Sequence, residues 1–209
     1  MISLPRLYAI VDSSADRSTR DLVAYAEELA AGGCTLLQYR NKSGKARLML
    51  DEARELRRQT RAGAPAPHVR LVMNDRADLC LAAEFDGVHV GQDDLSPEAV
   101  RGILGLDRWL GVSTHNPEQL READLTSADY LAIGPVFSTS SKENPDPVVG
   151  VEGVRRARAL TRKPLVAIGG ITRANAASVI EAGADSVAVI SDLIREPRKS
   201  AEEFFRILR

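Results

Sequence analysis

LLQYRNK, residues 36–42, decides the fold: two leucines of a buried strand give way within a few residues to Arg40, Asn41 and Lys42. MNDR at 73–76 and HVGQDD at 89–94 repeat the pattern, a short apolar run that stops abruptly in charged and amide side chains. Strand ends of this kind gather polar groups at one rim of a parallel sheet. Such a rim suits a polyphosphate and its metal ion.

Working outward, the chain alternates short apolar runs with amphipathic stretches eight times. The runs predict strands at 7–12, 35–40, 69–75, 87–91, 109–115, 129–137, 164–170 and 185–191. Several are near-continuous in apolar residues, as expected when both faces of a strand are covered. Between them, Leu22, Ala26, Leu29 and Gly33 form one helical stripe, and Ala201, Phe204, Phe205 and Leu208 another. Ser18 or Thr19, Ser96 before Pro97, Asn116 before Pro117, and Thr172 read as helix N-caps. Eight β-α units in 209 residues fit a single-domain (β/α)8 TIM barrel spanning residues 1–209. An open doubly wound sheet is the rival fold. It is disfavoured because VDSSADRST, after the first strand, lacks the glycines of a dinucleotide loop.

The bulk numbers narrow the function. A formal net charge of -1 argues against nucleic acid or an anionic membrane as partner. No run approaches a membrane span, and the N-terminus MISLPRLYAIVD lacks the features of a signal peptide. The expectation is a cytoplasmic protein acting on small molecules; oligomeric state, a homo-oligomer included, stays open. Cys34 and Cys80 sit in apolar contexts and read as small buried hydrophobes.

In a barrel, chemistry collects at the C-terminal ends of the strands. Asp75 and Asp94 follow adjacent strands there. A pair of carboxylates so placed is costly unless a hard cation such as Mg²⁺ joins them. Spacing alone leaves metal ligation and helix capping equally open, and the neighbouring cations favour the metal. Gln38, Arg40 and Lys42 alternate along one strand, so they share a face; an Arg forks onto phosphate oxygens and a Lys adds a mobile charge. Gly169-Gly170 and Ile190-Ser191 occupy the usual barrel position for a phosphate held by backbone N–H groups, although a glycine pair is also plain turn chemistry. The long connection FSTSSKENPDPVVG, 137–150, carries Thr139, Ser140 and Ser141 beside Lys142 and reads as a lid. His89 and His115 fall at strand ends, where a hydrogen-bonded rim histidine is as good a reading as a site residue. The set offers cations and metal ligands but no evident general base. Loss of a diphosphate needs charge neutralisation more than proton abstraction.

Taken together and in order, LYAIVD, Gln38 to Lys42, Asn74-Asp75-Arg76, GVHVGQDD (87–94), Gly111-Val112-Ser113, GPVF (134–137), Lys142 and Ala167 to Ile171 resemble the thiamine phosphate synthase family over nearly the whole chain. The resemblance implies a (β/α)8 transferase that joins a pyrimidine methyl diphosphate to a thiazole ethyl phosphate, with Mg²⁺, releasing pyrophosphate. It assigns Gln38, Tyr39, Arg40, Asn41, Lys42 and Asn74 to the pyrimidine diphosphate, and Asp75 and Asp94 to Mg²⁺. Ser113 would contact the pyrimidine or its diphosphate, and Lys142 the departing pyrophosphate. Thr139, Ser140, Ser141, Gly170, Ile190 and Ser191 would hold the thiazole phosphate. Ser141 stands where the family usually has Thr, keeping the hydroxyl and losing a methyl.

A thiazole tautomerase of the same superfamily would share the thiazole pocket without needing Arg40, Lys42, Asp75, Asp94 and Lys142 together. A phosphosugar isomerase would need an acid/base pair opposite its phosphate, and a non-catalytic regulator would keep the pocket without turnover. Under the synthase reading, the charge of Lys142 matters most as the pyrophosphate departs. Lys142→Ala should then lower kcat by roughly 10²-fold or more while changing diphosphate affinity much less, with partial recovery in Lys142→Arg. Steady-state kinetics beside direct binding checks this; a loss confined to affinity would make the residue a ground-state anchor instead.

Overall fold

A computed structural model of the chain describes residues 2–13, 18–62, 68–139 and 146–209. The strands are β1 (Leu7–Asp12), β2 (Leu36–Arg40), β3 (Arg70–Asn74), β4 (Gly87–Val90), β5 (Trp109–Thr114), β6 (Tyr130–Ile133), β7 (Leu165–Ile168) and β8 (Ser186–Val189). The helices that follow them are α1 (Thr19–Ala31), α2 (Ala46–Ala62), α3 (Ala77–Ala82), α4 (Pro97–Leu104), α5 (Pro117–Asp124), α6 (Gly150–Leu160), α7 (Ala176–Glu181) and α8 (Pro197–Ile207). The strands pair in parallel in chain order, and β8 returns to β1 through Leu7↔Val187, Tyr8↔Ala188 and Ala9↔Val189. The sheet is therefore a closed (β/α)8 barrel, and the open doubly wound alternative falls.

Alternation along each strand divides the apolar residues between two cores. Leu7, Ala9 and Val11 of β1 face the helical ring and join the large outer core with Leu22, Leu29, Leu37, Val187 and Phe204. Tyr8 and Ile10 face inward and pack with Leu36, Val72, Tyr130, Ala132, Val166 and Ala188. Near-continuous apolar strands follow from this two-sided burial. At the N-terminal rim one device recurs. Asp86, Asp129 and Asp185, each just before an even strand, accept the amides of Leu71, Leu110 and Leu165, each on the preceding odd strand, all at 2.8 Å. These bonds fix the register of three neighbouring strand pairs.

Ser18, Ser96 and Asn116 cap their helices as expected, each accepting from the amide three residues on. Thr172 does not cap in this way: the Asn175 side chain accepts from the Thr172 amide, and α7 begins after Asn175. The two cysteines are free and buried, and burial pushes both thiols up to about 12.

Two packing features position the strand ends. Glu52 on α2 is buried, and it accepts from the Tyr39 hydroxyl, from Asn41 Nδ2 at 2.9 Å and from Ser13 Oγ at 3.1 Å. Asn41 Oδ1 in turn accepts from the Ser43 amide at 2.8 Å. One helical carboxylate thus sets the chain path on both sides of Arg40. The other feature is Gly111 on β5, where a Cβ would lie 2.1 Å from Tyr130 Cζ and 2.5 Å from His89 Nδ1. No side chain fits between those two rings.

Both features predict measurable costs. Glu52→Ala leaves the Tyr39 hydroxyl and the Asn41 amide without their acceptor, and should destabilise the fold by about 3 kcal/mol. Glu52→Gln retains an acceptor and should restore most of that loss. Gly111→Ala overfills the barrel and should cost about 1–3 kcal/mol. Urea denaturation measures all three variants; an unaffected Gly111→Ala midpoint would show that the two rings separate at no cost.

Candidate active site

The C-terminal strand ends open onto a cavity of about 460 Å³, within the usual range for small-molecule sites. Gln38, Arg40, Lys42, Asn74, Asp75, Asp94, Ser113, Thr139, Gly170, Ile190 and Ser191 all line it. Tyr39 and Asn41 do not. Alternation along β2 turns both outward to Glu52, so the expectation that the whole stretch 38–42 faces a ligand is corrected for those two side chains. Ser140, Ser141 and Lys142 lie outside the described residues.

Charge concentrates over β1 to β4. Arg40 Nη1 donates to Asp12 Oδ2 at 2.7 Å across the β1–β2 register, and Lys42 Nζ meets Asp75 Oδ2 at 2.5 Å. Asp75 sits at a φ of 62°, a left-handed conformation rare for a non-glycine residue, and its amide is tied to His89 O at 2.8 Å. That twist sets its carboxyl beside Asp94. Burial raises the Asp75 pKa, the adjacent Asp94 raises it further, and Lys42 opposes them. Asp94 does not cap α4, since Ser96 takes that role; its Oδ2 instead accepts from the Gly91 amide at 2.8 Å. Beside this pair, Asn74 Nδ2 is buried without a hydrogen-bond partner. An orphaned donor is costly and calls for an acceptor from a ligand. Two touching carboxylates in an oxygen-rich setting fit a hard divalent cation of the Mg²⁺ kind, which takes one or two protein carboxylates and completes its shell with ligand oxygens and water.

The cavity floor is polar in a way the sequence did not announce. Gln38 Nε2 donates to Tyr8 Oη at 2.8 Å, and Tyr8 Oη lies 3.1 Å from Tyr130 Oη. Tyr130 Oη is 3.1 Å from His89 Nδ1, and His89 Nε2 is 2.8 Å from Ser113 Oγ. Burial pushes the His89 pKa down to about 4, against a smaller upward pull from Asp94, so the ring is neutral near pH 7. Burial raises both tyrosines. Sequence reasoning missed Tyr8 and Tyr130, which read as ordinary strand aromatics. The available signal was strand parity together with Gly111, an inward position left empty beside them. His115, by contrast, is a rim strut: its Nδ1 donates to Gly134 O at 2.6 Å and ties the end of β5 to that of β6.

Opposite the charged cluster, Gly169 and Gly170 turn away from β7 with φ of 97° and 63°. A Cβ on Gly170 would meet Ser138 O at 2.4 Å, so only glycine lets this turn lie against the β6 loop. Asn175 Nδ2 holds Gly170 O at 3.0 Å. Arg173 ties the same loop to Asp192, beside Ser191, and onward to Glu203 of α8. Backbone from β7 and β8 is thereby fixed as one wall of the cavity.

Known proteins agree with this arrangement. A family model for thiamine monophosphate synthase matches residues 7–193. The chain is 60% identical to the thiamine-phosphate synthase of Koribacter versatilis, over 99% of this chain and 97% of that one. It is 44% identical to the thiamine-phosphate synthase of Chloroflexus aurantiacus, over 90% and 85% of the two chains. Among solved structures, the thiamine phosphate pyrophosphorylase from Pyrococcus furiosus superposes with a TM-score of 0.84 at 32% identity, covering 97% of this chain and 95% of that one. With a (β/α)8 barrel and its charged strand-end cavity already established, these matches over nearly the full length show that the chain belongs to the thiamine monophosphate synthase family.

Proposed function

We propose that this transferase condenses 4-amino-2-methyl-5-(diphosphooxymethyl)pyrimidine with 4-methyl-5-(2-phosphooxyethyl)thiazole, giving thiamine monophosphate and pyrophosphate, and that it works in the cytoplasm with Mg²⁺. The observation that carries the reading is the division of one cavity: cations, a carboxylate pair and the orphaned Asn74 amide on β2 to β4 face a glycine turn on β7 and β8. Two phosphorylated substrates need two anion sites, and two sides of one cavity with different chemistry support that reading.

In this mechanism Arg40 and Lys42 grip the diphosphate, and Asn74 Nδ2 gains the acceptor it lacks. Asp75 and Asp94 would hold Mg²⁺, which would neutralise charge on the leaving group when bound. Ser113 and Gln38 orient the pyrimidine ring above the floor. The backbone around Gly170, Ile190 and Ser191, with Thr139, Ser140 and Ser141, holds the thiazole phosphate. Lys142 adds a cation at the departing pyrophosphate. The C–O bond to the diphosphate breaks, both electrons leave with the pyrophosphate oxygen, and the ring nitrogen of the thiazole attacks the resulting pyrimidinylmethyl cation. His89, the histidine of the floor, is neutral and hydrogen-bonded on both nitrogens, which agrees with chemistry that needs no strong base.

Incubation of the purified protein with both substrates and Mg²⁺ should yield thiamine phosphate and one equivalent of pyrophosphate. Asp75→Ala should nearly abolish turnover while keeping the thermal midpoint within a few degrees, because an exposed or half-buried rim position contributes little to the core. Full activity in excess EDTA, or wild-type turnover by Asp75→Ala, would contradict the metal assignment. No thiamine phosphate from the two substrates with Mg²⁺ would contradict the reading as a synthase.

A further inference from the structure

We propose that the barrel floor is a one-way hydrogen-bond chain, running from Gln38 through Tyr8, Tyr130 and His89 to Ser113, in which His89 is a positioning residue that commits the Ser113 hydroxyl proton to the cavity. The links measure 2.8, 3.1, 3.1 and 2.8 Å. They join five strands, β2, β1, β6, β4 and β5, across the interior.

Proton counting sets the direction. The Gln38 amide nitrogen can only donate, so Tyr8 Oη accepts there, and within the chain the Tyr8 proton finds an acceptor at Tyr130. The Tyr130 proton then finds its acceptor at His89 Nδ1. With Nδ1 accepting, the ring proton lies on Nε2 and points at Ser113 Oγ, and this is the sense in which every proton of the chain is partnered. Ser113 accepts from His89, and its proton is left for whatever sits above the floor. Acid strength favours the same sense, since a phenol is a better donor to an imidazole nitrogen than a serine hydroxyl is. Gly111 shows that the chain is built into the packing. Any side chain there would drive Tyr130 and His89 apart, because a Cβ would fall 2.1 Å from one ring and 2.5 Å from the other.

The two ends of such a chain have opposite character. Gln38 gives one N–H to Tyr8 and keeps a second N–H and its carbonyl oxygen, whereas Ser113 offers a proton. A ligand that satisfies the carbonyl and the hydroxyl gives a proton at Gln38 and takes one at Ser113. An aminopyrimidine does this, its exocyclic amine donating and a ring nitrogen accepting. In the oxo analogue a carbonyl replaces the amine and a ring nitrogen gains a proton, so the Gln38 carbonyl loses its donor and the Ser113 proton its acceptor. The chain is thus the device that selects amino over oxo pyrimidines. This inference rests on the synthase reading above for the identity of the ligand, but not for the direction of the chain.

The direction can be read without turnover. With ¹⁵N-labelled histidine, NMR should show His89 as a single neutral tautomer with a protonated Nε2 and a bare Nδ1, its signals identified by their loss in His89→Gln. A proton on Nδ1, or a mixture of tautomers, overturns the proposal. Tyr130→Phe removes the donor that fixes the ring and should give mixed tautomers; an unchanged single tautomer also overturns it. A purely structural role for Tyr130 would lower stability without moving a proton. In kinetics, the wild-type protein should use the oxo diphosphate at least about 10²-fold less well in kcat/KM than the amino diphosphate, the scale expected when a site built for one hydrogen-bond pattern meets its inverse. Tyr130→Phe should reduce that preference by roughly tenfold, because both ends are then free to reverse. If the protein makes no thiamine phosphate, competition calorimetry with the two pyrimidine diphosphates reads the same preference. Equal affinity for both rings overturns the selection, while the amino preference with the expected tautomer upholds it even where the synthase reading fails.

Discussion

The pairing of β8 with β1 is the constraint on which the rest depends. Closing the sheet leaves no unpaired edge, and it fixes which side chains point inward on every strand. It also brings all eight C-terminal ends to a single rim. Residues more than a hundred positions apart, such as Lys42 and Ser191, line the same 460 Å³ cavity for this reason. The aspartates before β4, β6 and β8 act at the opposite rim, where their carboxylates hold the strand register that closure requires.

A barrel interior is normally filled by branched apolar side chains. In this one Ile10, Leu36, Val72 and Val166 share the interior with two tyrosines, a histidine and a glutamine. Buried polar groups are tolerable only where each finds a partner, and here they find one another in a continuous line. Asn74 Nδ2 is buried without such a partner, and the residue lines the cavity. Outside the barrel Glu52 plays a matching part, gathering Tyr39, Asn41 and Ser13 so that Arg40 and Lys42 leave the strand in a defined direction. The two networks use alternate residues of the same strand. Cavity-facing and scaffold-facing roles are thereby separated by the pleat alone.

The charged rim is arranged to be given up. Lys42 is 55% exposed, and an exposed ion pair of this kind contributes about 0–1 kcal/mol, so a phosphate competes for it easily. Asp75 and Asp94 are less content: their mutual contact and the burial of Asp75 both raise the cost of ionising the pair. A divalent cation would relieve that cost and free Lys42 at the same time. The polar rim around the carboxylate pair would in this sense complement a ligand that brings its own negative charge.

The strand and helix order, the barrel, and most of the cavity-lining set were legible in residues 36–42, 73–76 and 89–94, because a parallel strand buried on both faces must carry its polar groups at its end. The family was legible in the joint order of those motifs and is shown by the relatives. Tyr39 and Asn41 were misread: a contiguous motif does not say which of its members face the ligand until the strand has a partner helix, and Glu52 of α2 supplies it. Tyr8 and Gly111 stood inside quoted motifs and Tyr130 in a strand run, yet none pointed to a polar role, since an aromatic and a glycine in a strand look like packing until closure sets them beside His89. Sequence by itself determined which residues are strand ends and what charge they bear, because those properties are local and covalent. Tertiary structure alone decided which distant side chains share hydrogen bonds, since closure of the barrel, and no local preference, brings them within 3 Å or so of one another.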